Sequence, residues 1–187
     1  MKKALIIVDV QRMISEAIDH SNFVDWFGFV NSKAKLFSQA GDIVIFSRQE
    51  LPNQLFYRKV FGENMVKGSN GVKNSEHFEV FNCVDYIKYF PSALSNKKLI
   101  SFLKSHQITD LTIIGGDGVK CAYYTALDAS QKGFDVTYDY NGIFTFWPNQ
   151  ISEKVAKLQN AGVKIEGKPE NMLILDISYL KGKVGGK

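Results

Sequence analysis

Several residue types and segment types are scarce in this chain, and each scarcity excludes a class of protein. Only two cysteines occur, Cys83 and Cys121, so a disulfide framework is not expected and a reducing cytoplasm is the expected compartment. The first apolar stretch, residues 4–8, is too short for the core of a signal peptide, and no stretch is long enough to span a membrane. No stripe of basic residues interleaved with aromatic residues occurs, which argues against a nucleic-acid partner.

The remaining composition is that of an ordinary globular protein. Hydrophobic residues make up 45% of the 187 residues and charged residues 22%. A chain of this length favours one domain with a substantial core, which we expect to cover residues 1–180. Part of the net charge of +4 comes from lysines in the glycine-rich residues 181–187. We expect these last residues to form a flexible basic tail.

Short apolar runs alternate with helical patterns along the chain. Runs rich in β-branched residues are typical of strands that are covered on both faces. The alternation predicts an α/β fold, in which a mostly parallel sheet has helices on both faces. Residues 49–82 lack such a pattern and predict a long irregular excursion of the functional or lid-like kind. The predicted strands are 4–8, 43–46, 84–87, 111–114, 134–138, 163–165 and 172–175, and the predicted helices are 23–40, 96–106, 149–159 and one that carries Cys121 and ends at Gly133.

The stretch around Cys121 contains a buried strand, a turn with three glycines, and a helix with the cysteine near its start. A helix N-terminus presents free N–H groups and a positive dipole end, which favour the reactive thiolate. Glycines allow close backbone approach, so the N–H groups of Asp117 and Cys121 are candidate oxyanion donors. Two alternatives remain open: Cys121 is a small buried apolar residue, or the glycine-rich turn binds a phosphate or nucleotide. The turn matches neither the dinucleotide fingerprint nor the P-loop.

Two charged residues follow other predicted strands. Asp9 comes directly after residues 4–8, and Lys88 comes directly after residues 84–87. Because ligands bind beyond the carboxyl ends of parallel strands, we expect both residues to lie near Cys121. A partly desolvated Asp9 would have a raised pKa that suits a general base, and Lys88 would favour the ionised forms of both neighbours. The alternatives are a turn or helix-cap role for Asp9 and a solvated surface position for Lys88.

Several short motifs occur in order over about residues 3–165. They are residues 5–11, Lys88 with residues 92–94, and residues 113–115 with Cys121, Thr125, Ala126, Asp128, Ala129 and Gly133. Together they resemble the isochorismatase-like cysteine hydrolases. The resemblance implies a Rossmann-like α/β/α sandwich, a catalytic triad of Asp9, Lys88 and Cys121, and a cis peptide bond between Gly116 and Asp117. It also implies a small-molecule substrate and a homo-oligomer of two or more subunits.

Departures from the family pattern narrow the expected chemistry. Nicotinamidase-like members carry an Asp-x-His pair after the second strand, where this chain has Ser47 to Leu51, and the nearest downstream histidine is His77. We therefore expect no metal and no other cofactor, which argues against nicotinamide as the substrate. Isochorismatases that cleave an ether lack the cysteine, so Cys121 predicts acyl or carbamoyl C–N chemistry. The pair Asn141-Gly142 replaces an aspartate common in the family and favours a turn.

Four further residues are candidate substrate contacts: Gln11, Arg48, Phe90 and Trp147. Arg48 would pair with a substrate carboxylate, or form a surface salt bridge. Phe90 and Trp147 would line an apolar pocket, or pack in the core or at a subunit interface. Gln11 would contact substrate or brace Asp9. The sequence thus predicts a cysteine hydrolase that cleaves an amide or carbamoyl C–N bond through a thioester. The alternative is a diverged family member that binds a small molecule or nucleotide.

Overall fold

The computed structural model describes residues 2–15, 20–79 and 83–176, and for residues 20–24 only the backbone. The predicted tail, residues 181–187, lies outside the described residues. The strands are β1 (Lys2–Val8), β2 (Ile43–Gln49), β3 (Cys83–Lys88), β4 (Ile108–Gly115), β5 (Asp135–Thr145), β6 (Lys164–Glu166) and β7 (Leu173–Ile174). The α-helices are α1 (Arg12–Ser15), α2 (His20–Gln39), α3 (Leu55–Phe61), α4 (Lys97–Ser105), α5 (Cys121–Gln131) and α6 (Ile151–Asn160).

The strands form one parallel sheet in the order β3-β2-β1-β4-β5-β6, and β7 pairs with the far end of β5. This arrangement confirms the predicted α/β fold with a mostly parallel sheet. The chain moves outward from β1 to β2 and β3, then returns to place β4 on the other side of β1. The carboxyl ends of β1 and β4 therefore flank the point where the strand order reverses, which is where such sheets bind ligands.

Strand β1 is central, and its residues from Ala4 onward are buried. Alternate side chains of a strand point to opposite faces of the sheet. Ile6 and Val8 accordingly pack in the core beneath α4, α5 and α6, whereas Leu5 and Ile7 pack in the core beneath α2. Each such aliphatic side chain contributes about 1.5–3 kcal/mol when it is removed from water. The double covering explains why β1 is a continuous apolar run, without the polar alternation of a half-exposed strand.

The turn predicted at Asn141-Gly142 is wrong, because β5 continues through both residues to Thr145. The pairing with β4 shifts register there: Ile113 pairs with Tyr138, but Gly115 pairs with Ile143. Asn141 donates from its backbone and its side-chain amide to Asp139 Oδ1, at 3.0 and 2.8 Å. The pair therefore creates an irregularity within a strand and does not reverse the chain.

Residues 49–79 are only partly irregular, since they include α3 and a 3-10 turn at Glu63–Met65. An isolated bridge pairs Asn74 of this segment with Gln11, which follows β1, and a second bridge pairs Leu51 with Val66 within the segment. The segment follows the carboxyl end of β2, so it lies on the ligand-binding side of the sheet. None of the helices in the described ranges combines the length and apolarity that a membrane crossing needs.

Candidate active site

Four polar residues lie in a row along the carboxyl edge of the sheet. Lys88 is the last residue of β3, Gln49 the last residue of β2, Asp9 follows β1, and Cys121 is the first residue of α5 after β4. Because the sheet order is β3-β2-β1-β4, these positions are consecutive along the edge. The structure thus brings together the three residues that the sequence singled out, and adds Gln49 between them.

Lys88 is the fully buried cation of this row. Its side chain is 0% exposed, and Nζ lies 2.8 Å from Asp9 Oδ2 and 2.8 Å from Gln49 Oε1. Burial by itself would lower the pKa of Lys88, but its interactions with Asp9 and Cys121 outweigh burial and raise the pKa. The lysine therefore stays charged. A buried charge needs close partners of this kind, since an unpaired one costs several kcal/mol.

Asp9 follows β1 in a left-handed backbone conformation, with φ of 53°. Its N–H donates to the carbonyl of Ser47 at 2.8 Å, which fixes the residue beside the end of β2. Burial raises the pKa of Asp9, while Lys88 acts in the opposite direction. Among the described residues, no donor is hydrogen-bonded to the buried Oδ1 atom. One carboxylate oxygen is thus held by Lys88, and the other is free to accept a proton.

The Cys121 thiol interacts electrostatically with both Asp9 and Lys88. Burial and the negative charge of Asp9 raise the pKa of the thiol to about 12, against the opposing effect of Lys88. The expectation of a resting thiolate is therefore wrong. The helix N-terminus and one lysine do not offset the rise in the thiol pKa that burial and a neighbouring carboxylate cause. Attack by sulfur requires that the proton move to a neighbouring base.

The turn between β4 and α5 needs glycine at its start. Gly115 has φ of +94°, and a Cβ atom there would lie 2.1 Å from the carbonyl oxygen of Val8. A Cβ atom on Gly116 would lie 2.5 Å from the ring of Phe144. The next peptide bond, between Gly116 and Asp117, is cis. These glycines let the turn pass directly over the end of β1, beside Asp9.

Two backbone N–H groups of this turn point to no acceptor in the described part of the chain, those of Asp117 and Cys121. Lys120, at the N-cap position of α5, provides no side-chain cap for them. The other amides of the turn are occupied: Gly116 donates to Val8, Gly118 to Phe144, Val119 to the Asp117 side chain, and Lys120 to the Asp117 carbonyl. Two free backbone donors are what an oxyanion hole requires, and these two N–H groups are candidates for that role.

Gln11 and Gln49 form a brace behind the row. Gln11 is buried, and its amide nitrogen donates to the carbonyls of Gln49 and Val72, each at 2.9 Å. Its oxygen accepts from the Gln49 N–H at 3.0 Å. Gln11 therefore holds the end of β2, and through Gln49 it holds Lys88. Gln49 was missed in the sequence because its role depends on register: it pairs with Lys88 across β2 and β3.

Arg48 precedes Gln49 in β2, Phe90 follows β3, and Trp147 follows β5. Arg48 donates to Asp85 at 2.7 Å and also pairs with Glu50. Of its two predicted roles, these contacts match the salt bridge and not the substrate contact. Phe90 is 68% exposed at the rim of an apolar cavity of about 370 Å³, and Trp147 is 38% exposed. Their contact with substrate stays a prediction.

The residues at the end of β2 do not fit a metal site. Arg48 forms an ion pair with Glu50, and Gln49 accepts from Lys88. Across residues 2–15, 20–79 and 83–176, no cluster of three or more His, Cys, Asp or Glu side chains is placed to hold an ion.

Comparisons with known proteins agree with this architecture. Pyrazinamidase of Pyrococcus horikoshii in complex with zinc has a TM-score of 0.75 and 22% identity, over 90% of this chain and 100% of that chain. N-carbamoylsarcosine amidase from Thermoplasma acidophilum has a TM-score of 0.75 and 18% identity, over 89% and 96%. Nicotinamidase from Bacillus subtilis has a TM-score of 0.74 and 23% identity, over 89% and 100%. No curated protein matches by sequence.

These solved structures share the fold at low identity, and a domain family gives the relationship. The isochorismatase domain matches residues 3–165, which is most of the chain. This span contains strands β1 to β5 except the first residue of β1, together with the row at the sheet edge and the turn before α5. The resemblance seen in the sequence is thus confirmed, and the chain belongs to the isochorismatase domain family.

Proposed function

We propose that the protein is a cysteine hydrolase that cleaves an amide or carbamoyl C–N bond of a small molecule. The observation that carries the proposal is the buried contact of Lys88 with Asp9, 2.8 Å apart, next to the Cys121 thiol. A buried ion pair contributes little net stability, so a purely structural explanation is weak. A base, a cation and a nucleophile at one sheet edge are the components that nucleophilic catalysis needs.

The first half of the reaction transfers the acyl or carbamoyl group to sulfur. Asp9 accepts the proton of Cys121 as Sγ attacks the substrate carbonyl carbon. The C=O π pair moves onto oxygen, and the N–H groups of Asp117 and Cys121 stabilise that oxyanion. Asp9 then donates the same proton to the substrate nitrogen. The C–N bond breaks, the amine leaves, and a thioester remains on Cys121.

The second half hydrolyses the thioester. Asp9, again ionised, accepts a proton from water as the water oxygen attacks the same carbonyl carbon. Collapse of the tetrahedral intermediate breaks the C–S bond, and Asp9 returns the proton to sulfur. The net result is addition of water across the C–N bond. Lys88 stays protonated throughout and keeps the negative charge in place, whether it resides on Asp9 or on sulfur.

The similar structures support this proposal at the level of chemistry, because pyrazinamidase, nicotinamidase and N-carbamoylsarcosine amidase are named for C–N bonds of small molecules. The test is to incubate the protein with a panel of small amides and carbamoyl compounds and to measure intact mass and amine release. We expect a covalent adduct on Cys121 and loss of turnover in Cys121→Ser. Cys83→Ser, the matched control, should retain turnover. Full turnover by Cys121→Ser would refute the mechanism.

A further inference from the structure

Asp117 carries a half-buried carboxylate that the proposed mechanism does not use. Its Oδ1 accepts from the N–H of Val119 at 2.8 Å, and its Oδ2 accepts from the N–H of Phe146 at 2.8 Å. The hydroxyl of Thr145 lies 3.3 Å from both oxygens. Each carboxylate oxygen therefore accepts one short backbone hydrogen bond, from a different segment of the chain.

These bonds connect two segments near the site, the turn before α5 and the end of β5. Val119 belongs to the turn that precedes Cys121, whereas Thr145 ends β5 and is followed by Phe146. Thr145 also accepts the backbone N–H of Trp147 at 3.1 Å, so the same group of bonds fixes the start of the segment that carries Trp147. The carboxylate is the only chemical group of Asp117 that reaches β5, while its own N–H is one of the two unoccupied amides.

The charge environment is consistent with a role in holding backbone. Burial raises the pKa of Asp117, and the hydrogen bonds from Phe146 and Val119 act against that rise. The charged or titratable groups that face it are Lys120, on the turn, and Tyr138, on β5. Neither is hydrogen-bonded to the carboxylate, since the Tyr138 hydroxyl donates to the Gly118 carbonyl at 2.8 Å. The carboxylate thus accepts hydrogen bonds from two main-chain N–H groups and one hydroxyl.

We propose that Asp117 is a positioning residue, whose carboxylate clamps the turn before α5 to the end of β5 and thereby aims the N–H groups of Asp117 and Cys121 at the oxyanion. This inference rests on the proposed function. An asparagine cannot replace the carboxylate here, because its NH₂ group would face the N–H of either Val119 or Phe146. One backbone hydrogen bond is then lost, so the side chain no longer links Val119 to Phe146, and the turn keeps only the bonds of Gly118 to Phe144 and Tyr138 as its ties to β5.

The test separates oxyanion stabilisation from thiol reactivity with two probes of Cys121, in a Cys83→Ser background. Acetylation by p-nitrophenyl acetate passes through an oxyanion and releases one equivalent of p-nitrophenolate in a burst. Alkylation by iodoacetamide displaces iodide and develops no oxyanion. For Asp117→Asn we expect the maximal burst rate constant to fall about 10- to 100-fold, with the half-saturating ester concentration unchanged. The alkylation rate should change by less than about threefold, because no oxyanion forms in that step.

Asp139→Asn is the matched control. Asp139 is a buried carboxylate on β5 that also accepts N–H groups, but it pairs with Lys33 of α2 and not with the turn before α5. We expect both rates to stay at the parent values in this variant. A folded Asp117→Asn protein with an unchanged burst, or with both rates lowered equally, would overturn the inference.

The parent protein tests the proposed function separately from the clamp. If p-nitrophenyl acetate does not acetylate Cys121 in the parent, the proposed hydrolase function is wrong, and the inference about Asp117 is wrong as well.

If Asp117→Asn fails to fold, Thr145→Val tests the clamp in its place, because it keeps the carboxylate and removes only the hydroxyl. For Thr145→Val we expect the burst rate constant to fall by a smaller factor than in Asp117→Asn, with the alkylation rate unchanged. Thr145→Ser should restore the burst rate constant. A burst rate in Thr145→Val equal to that of the parent overturns the clamp.

Discussion

Replacing Asp9 with asparagine should change the two reactivities of Cys121 in opposite directions. The negative charge of Asp9 is one of the two main causes that raise the pKa of the thiol. Asparagine keeps the shape of the side chain and an oxygen that still accepts from Lys88, but it removes that charge and the proton acceptor. The thiolate should therefore become more abundant near neutral pH, while the hydrolytic cycle loses its base.

The size of the effect follows from the contact between the two groups. A unit charge about 4 Å away contributes about 4 kcal/mol at an effective dielectric constant of about 20. That energy corresponds to about three pKa units, which lowers the pKa of Cys121 from about 12 to about 9. At pH 8 the thiolate fraction rises about 1,000-fold, and the weaker nucleophilicity of a less basic thiolate reduces the gain in alkylation rate to about 40-fold.

The assay is the rate of iodoacetamide alkylation as a function of pH, followed by intact mass, in a Cys83→Ser background so that only Cys121 reports. Turnover of p-nitrophenyl acetate beyond the first equivalent measures thioester hydrolysis in the same samples. For Asp9→Asn we expect faster alkylation below about pH 9 and a 10²- to 10⁴-fold loss of turnover, on the order typical of a lost general base. The melting temperature of each variant serves as the control for folding.

One result would refute the reasoning about the site. If Asp9→Asn is folded but alkylates more slowly than the parent at every pH, then Asp9 does not oppose the thiolate. The carboxylate would instead promote its formation, and the electrostatic account of Cys121 would be wrong. Retained turnover with faster alkylation would mean, by contrast, that another group is the base.

Two further predictions concern the cation and the turn. Lys88→Met removes the charge that lowers the pKa of Cys121, so alkylation at pH 8 should slow, and the unpaired Asp9 should lower the free energy of unfolding by about 3–5 kcal/mol in urea titrations. An alkylation rate equal to the parent's would contradict this role of Lys88. Gly115→Ala places a Cβ atom 2.1 Å from Val8 O and should lower the free energy of unfolding by more than Gly133→Ala, which shares a positive φ but meets no atom within 4 Å. Equal losses in the two glycine variants would mean that backbone strain alone matters.

The fold could be predicted because its signals are local. Residues 4–8 and 111–114 are continuous apolar runs, and only strands covered on both faces need such runs. Polar residues placed directly after such runs locate the sheet edge where ligands bind, which is why Asp9 and Lys88 could be named beside Cys121. The predicted ends of β1, β3 and β4 lie within one residue of the observed ends, which suffices to place Asp9, Lys88 and Cys121 at one edge, whereas β2 and β5 continue well beyond their predicted ends.

What the sequence did not reveal depends on pairing and burial between distant segments. In the sequence, Gln49 does not differ from many other polar residues. Only the register between β2 and β3 shows that it lies beside Lys88. Asn141-Gly142 favours a turn in isolation, but the bonds to Asp139 and the pairing on both sides keep it within β5. The pKa of Cys121 is set by desolvation and by Asp9, and neither is visible from the position of a cysteine at a helix start.

The raised pKa of the thiol makes sense when the three groups are considered as one buried unit. With Asp9 ionised, Lys88 charged and the thiol neutral, the row has no net charge, and the attraction between the two ions offsets part of the cost of burying them. A resting thiolate would add an uncompensated negative charge to the same dry edge. Transfer of the thiol proton to Asp9 keeps the net charge at zero and moves the negative charge from oxygen to sulfur. Lys88 interacts with both positions, so it stabilises the state before and the state after the transfer. In the proposed mechanism the protein therefore needs a base beside the nucleophile more than it needs an acidic thiol.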